Sequence, residues 1–329
     1  MKIVIVGSGA IGSLYGALLS RVEDNEVYLI GRNPHIGAIQ SHGLRLVGVL
    51  GDHLFKMKTL NHARDISSAD LVIVTTKTYD TITAALSAKH LVDGGAHILL
   101  IQNGLGTEDL VARELGTTNV LRATTCMGAL QESPGVVRAT GCGLTEIGSR
   151  YEKNFAVVKS LTTMLRKAGF DARASQNIEG VVWTKTLVNC GINPVGALTG
   201  FSNGEVYENK ALRALVVRLV EEAVKVVNAL GIKLTTDNPI RYTLGTAKAT
   251  GDNINSMLQD LQAGKRTEID SITGEVIRLA KELGINTPAN EAVYALIKAI
   301  ESKYLETGDR VSETDILKVD ELVRSLTTS

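Results

Sequence analysis

Residues 2–12 read KIVIVGSGAIG, and the order of residue types there decides the fold of the first half of the chain. Lys2 to Val6 is a short β-branched run, as a parallel strand buried on both faces requires. Gly7, Ser8, Gly9, Ala10, Ile11 and Gly12 follow at once, and then an apolar helix through Leu14, Leu18 and Leu19. In this setting Gly7 permits a tight turn, Gly9 lets a pyrophosphate approach the backbone, and Gly12 lets helix and strand pack closely. The free N–H groups of the helix N-terminus would hold the phosphates. Any loop that needs small residues can carry such glycines; their place between a strand and a helix is what points to a dinucleotide site.

The next segments extend this pattern. A second strand over residues 26–30 ends at Gly31-Arg32, where NAD-specific sites usually place an acid for the ribose 2′-hydroxyl. An acid is absent and a guanidinium present, which suits the 2′-phosphate of NADP; the competing reading is a surface arginine. Alternating segments at 44–49 and 54–60 read as a hairpin-like excursion. Residues 70–76 form a buried strand ending at Lys77, at the edge where doubly wound sheets bind ligands. Lys77 is a candidate for the adenosine phosphate, or simply an exposed lysine opening a helix. A strand at 96–101 leads into Gln102-Asn103-Gly104, which sets Asn103 at the nicotinamide end, although Asn-Gly is also an ordinary turn. Strands at 121–125, 136–139 and 144–147 complete one mixed sheet. A helix at 154–167 and a short strand after Gly169 close a domain of residues 1–176.

Residues 177–329 read as a second, helical domain, opening on IEGVVWTKTLVNCGINP at 178–194. Val181, Val182, Trp183, Leu187, Val188 and Ile192 cover most of a helix circumference, the pattern of a buried helix. Lys185, Asn189 and Asn193 recur at i, i+4 and i+8 and share one face. Burying a charge or an amide unpaired costs several kcal/mol, so this stripe needs partners, and a polar ligand would supply them. The alternative is a surface lysine and two solvated or turn-capping asparagines before Pro194. Further helices are expected at 210–230, 254–262, 268–283 and 290–305, with Gly and Pro between them. Asn203, in Ser202-Asn203-Gly204-Glu205, can fold back toward the stripe. Ser256 opens one helix and Glu268 lies in the first turn of the next, where Thr267 and Asp270 fit a capping box.

Composition excludes several functions. Thirty-five basic and 35 acidic residues cancel, which leaves no electrostatic case for nucleic acid or an anionic membrane. No apolar run is long enough to span a bilayer and no signal-peptide pattern precedes Lys2, so a cytoplasmic protein is expected. Cys126, Cys142 and Cys190 have neither disulfide-framework nor zinc spacing and read as core residues. All six histidines fall in the first third, so a histidine acid/base for the Lys185 stripe could come only from the other domain.

These pieces together resemble the ketopantoate reductase family, the NADPH-dependent 2-dehydropantoate 2-reductases of pantothenate and coenzyme A biosynthesis. GSGAIG at Gly7, QNG at Gln102, WTKTLVNCGINP at Trp183, NGE at Asn203 and NSMLQDLQAGKRTEID at Asn255 carry the resemblance over nearly the whole chain. It implies a Rossmann-like doubly wound domain followed by an all-helical domain like the C-terminal one of 6-phosphogluconate dehydrogenase. It implies Lys185 as general acid with Glu268 as its partner near the cofactor, and Asn103 beside nicotinamide and substrate. Asn189, Asn193, Asn203 and Ser256 would bind the keto acid with Lys185. Arg32, Lys77 and Ala129 would touch NADP along with residues 7–12. No metal is implied, and a homodimer is compatible with the family. A related 2-oxo acid or opine dehydrogenase, or a non-catalytic NADP-binding regulator, are the alternatives. The charged tail after Gly308 is longer than the family's pattern.

Overall fold

The computed structural model describes residues 1–307, and the expected tail helix after Gly308 lies outside them. The chain divides into two compact units, Met1–Val181 and one beginning at Val182.

The first unit opens as the glycine motif requires: β1 (Lys2–Val6), α1 (Ala10–Leu19) and β2 (Glu26–Ile30) form a β-α-β unit with β1 and β2 parallel in register. After α2 (His35–His42), β3 (Leu44–Gly48) and β4 (His53–Phe55) make the expected hairpin, while β5 (Lys58–Leu60) lies parallel to β2. Then come β6 (Leu71–Val74), α3 (Thr81–Ser87), α4 (Lys89–Asp93), β7 (His97–Leu100), α5 (Thr107–Leu115) and β8 (Val120–Thr125). β9 (Gly128–Ser133), β10 (Val136–Gly141), β11 (Thr145–Gly148), α6 (Phe155–Lys167) and β12 (Ala172–Ala174) complete the unit. The main sheet has eight strands in the order β12-β11-β8-β7-β6-β1-β2-β5. Its part from β5 to β8 is parallel and follows the doubly wound order, whose direction of winding reverses between β1 and β6.

The strand period of two splits the core between the faces of this sheet. Ile3 and Ile5 join α1 in one apolar cluster, and Val4 and Val6 join α3 and α5 in another. The expectation of one mixed sheet is corrected here, because β10 belongs to a separate four-stranded sheet, β4-β3-β10-β9. The 120–148 segment crosses between the two sheets at Cys126, whose N–H donates to Leu144 O at 3.0 Å. Cys126 and Cys142 are exposed where the chain crosses over, so only Cys190 is the core residue expected of all three.

The second unit is built on α7 (Ile178–Thr199), whose first turn still belongs to the first unit. α7 runs through Pro194 rather than ending before it. α8 (Asn203–Glu208), α9 (Lys210–Ala229), α10 (Pro239–Ala249) and α11 (Ser256–Gln262) follow. A π-helical turn (Asp270–Gly274) leads into α12 (Glu275–Glu282), and α13 (Pro288–Thr307) closes the described chain. Gly191 lets α7 sit hard against α9 and α10: a Cβ there would lie 2.9 Å from Val220, 3.2 Å from Val216 and 3.1 Å from Thr243. No helix among the described residues is long and apolar enough to cross a membrane.

Candidate active site

The candidate residues fall into two groups, one in each unit. In the first unit, Gly7, Arg32, Lys77 and Asn103 each follow the C-terminal end of β1, β2, β6 and β7, which are neighbours in the sheet. Parallel strands therefore deliver all four to one edge, at the point where winding reverses and such sheets bind ligands.

The three glycines of the turn have three different reasons. Gly7 has φ +106°, and a Cβ on it would lie 2.7 Å from the Thr76 methyl. A Cβ on Gly12 would lie 2.3 Å from Gly7 O and 2.5 Å from Thr75 Oγ1. Around Gly9, by contrast, no atom beyond its immediate chain neighbours lies within 4 Å of the Cβ position among the described residues, so the backbone is open where a pyrophosphate has to approach. Gly9 caps α1 with no side-chain acceptor on the first N–H groups, which leaves those donors available to an anion. The Arg32 guanidinium is exposed and makes no hydrogen bond or ion pair among the described residues. This edge fits a dinucleotide. Ala129 stands apart on β9 of the second sheet, in the same apolar cluster as Ala10 and Ile11.

Besides Ser8 of the glycine motif, several residues that are not evident in the sequence brace this edge. Thr75 Oγ1 donates to Gly7 O at 2.6 Å, and Ser8 Oγ donates to Ile30 O at 2.9 Å. Buried His35 accepts the Gly135 N–H on Nδ1 at 3.0 Å, so its Nε2 carries the proton and donates to Ser13 Oγ at 2.9 Å. Burial holds the His35 pKa below its ordinary value. Gln102 Nε2 donates to Val74 O at 2.8 Å and to Thr76 O at 3.2 Å, and buried Arg122 donates to Gly104 O at 2.8 Å. The Asn103 turn is thus held from both sides. An arginine inside the apolar run VLRATT was a signal for this role; the threonine and serines gave none.

In the second unit, every residue from 181 to 198 of α7 is buried except Lys185 and Asn189. Asn193, the third member of the stripe, is 6% exposed. The burial of Trp183, Leu187, Val188 and Ile192 fixes the rotation of the helix and leaves Lys185 and Asn189 as its one partly open face between residues 181 and 198. Gly196, one turn beyond Asn193, packs on Asn255, whose Oδ1 caps the N–H groups of Met257 and Leu258 and so starts α11 at Ser256. Asn203 N–H donates to Asn253 O at 3.0 Å and Gly204 N–H to Gly251 O at 2.9 Å, which ties the start of α8 to the loop before Ser256. The Asn203 amide donates to Thr250 Oγ1 at 2.8 Å, while its buried Oδ1 has no hydrogen-bond partner among the described residues. Ser202 and Glu205 form a capping box at this point.

Glu268 is buried at 5% exposure. The expected Thr267–Asp270 capping box does not form. Thr267 Oγ1 accepts from Ile269 N–H at 3.2 Å, but the Thr267 N–H donates to Glu301 at 2.7 Å, and Asp270 turns to Arg266, Tyr294 and Lys298. Burial alone would raise the Asp270 carboxyl pKa, and these three donors outweigh it and hold it low. For Lys298 burial opposes the charge, yet Glu301 and Asp270 raise its pKa overall. Five residues on, Thr273 Oγ1 points at the Cys190 sulfur of α7 at 3.8 Å, and burial pushes that thiol up to about 12. The Glu268 segment is therefore packed on the striped helix.

Residues 3–152 match the family "Ketopantoate reductase PanE/ApbA" and residues 177–301 its C-terminal counterpart. The chain is 40% identical over 302 residues to the 2-dehydropantoate 2-reductase of Pyrococcus horikoshii, an alignment covering 92% of this chain and 98% of that one. The chain belongs to the ketopantoate reductase family. Its fold is similar to that of a PanE/ApbA family ketopantoate reductase from Ralstonia eutropha, with TM-score 0.85 and 33% identity over 93% of this chain and 100% of that one. It is also similar to D-mandelate dehydrogenase with NADH and anilino(oxo)acetate, with TM-score 0.86 and 27% identity over 92% and 99% of the two chains. The family thus spans the Rossmann-like sheet and the helical unit together.

Proposed function

We propose that this chain reduces 2-dehydropantoate to (R)-pantoate with NADPH, as a cytoplasmic enzyme of pantothenate and coenzyme A biosynthesis compatible with a homodimer. The observation that carries the reading is the single open face of α7, where a lysine and an asparagine are the only residues of 181–198 to escape burial. A packed helix that spends its one open face on an ammonium and an amide is built to bind something polar.

Residues 7–12 hold the pyrophosphate, Arg32 and Lys77 hold the adenosine end with its 2′-phosphate, and Ala129 and Asn103 line the cofactor toward the nicotinamide. A bound reduced nicotinamide supplies the hydride that adds to the C2 carbonyl carbon of the keto acid. Lys185 stabilises the charge that develops on the carbonyl oxygen and delivers the proton that completes the alcohol. Glu268 partners that ammonium on the cofactor side. Asn103, Asn189, Asn193, Asn203 and Ser256 hold the carboxylate and hydroxyl as neutral groups, which orients the substrate without adding a charge that would compete with Lys185.

The test is NADPH oxidation with 2-dehydropantoate, repeated with NADH and with an aryl 2-oxo acid, on wild type and Lys185→Ala. Lys185→Ala should lower kcat by roughly 10²–10⁴-fold while NADPH binding is unchanged. Wild-type turnover in that variant removes Lys185 from the chemistry. Preference for NADH and the aryl acid moves the chain to the sister dehydrogenases, and cofactor binding with no turnover of any acid makes it a regulator.

A further inference from the structure

The turn that carries Glu268 is gripped on both sides by one helix. Glu301, on α13 and 1% exposed, accepts from the Thr267 N–H at 2.7 Å and from the Thr267 hydroxyl at 2.6 Å. Lys298, one turn earlier on α13, donates to the other oxygen of Glu301 at 2.8 Å and to Asp270 at 3.1 Å. Asp270 also accepts from Tyr294 of α13 at 2.7 Å and from Arg266 at 2.9 Å. Glu268 lies between these two anchor points. Its own carbonyl accepts from the N–H groups of Ile272 at 3.1 Å and Ser271 at 3.2 Å and from the Ser271 hydroxyl at 3.0 Å. The backbone then enters the π-helical turn (Asp270–Gly274), a departure from α geometry that recurs at functional sites.

Stability alone is a weak reason for this arrangement, because well-packed apolar side chains serve about as well as a buried ion pair. What several directional bonds add is one defined geometry. We propose that Glu301 is a positioning residue for Glu268: with Lys298 and Asp270 it fixes the turn that aims the Glu268 carboxylate, and so sets how far up the pH scale Lys185 stays an ammonium. This rests on the reading of Lys185 and Glu268 given under the proposed function. An opposite charge held close favours the charged form of its partner, and a carboxylate that drifts away gives up that effect. The charged groups whose bonds hold the turn include Arg266, Asp270, Lys298 and Glu301, with Tyr294 as a neutral donor.

The experiment is the pH profile of kcat/KM for the full-length enzyme, compared among wild type, Glu268→Gln, Glu301→Ala and Glu301→Gln. Glu268→Gln should move the alkaline limb down by about one pH unit or more, since each unit is tenfold in the protonation equilibrium. Glu301→Ala should move it the same way by a smaller step. Glu301→Gln keeps an acceptor for Thr267 but sets an amide –NH2 against Lys298, so it should move the limb by less than Glu301→Ala does. If Glu268→Gln moves the limb while Glu301→Ala lowers the rate equally at every pH, Glu301 only supports the fold and the inference is overturned. An unmoved limb in Glu268→Gln is a different result: it overturns the pairing of Glu268 with Lys185 and the inference with it. Should Glu301→Ala fail to fold, Glu301→Asp keeps the charge but draws it back by one methylene, and the same two outcomes decide.

Discussion

The two units place their candidate functional side chains by different means. In the first, strand topology gathers them: four adjacent parallel strands end at one sheet edge, and the residues just beyond them arrive there whatever their side chains are, with Ser8, Thr75, Gln102 and Arg122 bracing the loops. In the second, side chains from distant helices hold backbone. Glu301 of α13 takes the Thr267 N–H, and Glu222 of α9 takes those of Ala289 and Asn290 at 3.0 Å each, at the start of α13. A sheet edge tolerates many substitutions at its tips, whereas a helical unit held by buried carboxylates depends on each one, since a buried N–H left without an acceptor costs about 1–3 kcal/mol.

The largest effect that would break this contrast comes from two glycines three residues apart. Gly12→Ala puts a methyl 2.3 Å from Gly7 O and 2.5 Å from Thr75 Oγ1, and the turn must shift to admit it. The expected cost is about 1–3 kcal/mol, seen as a lower melting temperature together with lost NADPH binding. Gly9→Ala meets nothing within 4 Å, and Gly9 has φ −75°, so the melting temperature should not change. NADPH affinity alone should fall, by about tenfold or more for a 1.4 kcal/mol loss. A Gly9→Ala protein that melts early, or that binds NADPH as wild type does, would mean that the open space at Gly9 is not where the cofactor approaches.

Arg32 gives a smaller effect, confined to the tip. Arg32→Ala should reduce the preference for NADPH over NADH by about tenfold, the lower end for a charge-assisted bond at an exposed site. Melting temperature and kcat should hold, because the guanidinium makes no bond among the described residues. The ratio of kcat/KM for the two cofactors reads this directly. An unchanged ratio would return Arg32 to an ordinary surface arginine.

The same contrast explains what was legible in the sequence. β1, the glycine turn and β2 are set by local chemistry, so the observed strands at Lys2–Val6 and Glu26–Ile30 are those the residues predict. The α7 stripe was legible for the same reason, although its passage through Pro194 was not, since helix interiors usually exclude proline. β9 was invisible because GALQES is mostly exposed and has no alternation; it exists by pairing with β10. That pairing also draws β10 into a second sheet, which no local pattern announces. At α8, Ser202 and Glu205 stand at capping-box spacing and form the box. At α10, Asn238 before Pro239 was an N-terminal signal of the same kind. The Thr267–Asp270 spacing failed because Glu301, thirty-four residues away, takes the N–H that the box would have used.

A further side-chain brace of the first unit, a buried histidine, yields the smallest effect. His35 ties the glycine turn to the β9–β10 turn by a side chain, through Ser13 Oγ on Nε2 and the Gly135 N–H on Nδ1. Nδ1 can accept that N–H only while the ring is neutral, so protonation replaces an acceptor with a second donor aimed at the Gly135 N–H. Burial lowers the His35 pKa in the folded state, so the unfolded chain binds the proton more readily. The contribution is therefore complete above the unfolded value of about 6.5 and is lost as pH falls through it toward the folded value. Between about pH 7.5 and 5.5 the first unit should lose on the order of 1 kcal/mol, below the limit of 1.36 kcal/mol per pH unit for one proton. His97, whose pKa is also lowered mainly by burial, adds a background slope, which His35→Gln retains while removing the His35 part. Urea unfolding of both proteins at the two pH values measures the difference. Equal slopes would show that the His35 bonds add nothing to the hold that Thr75 and Ser8 already have on the turn.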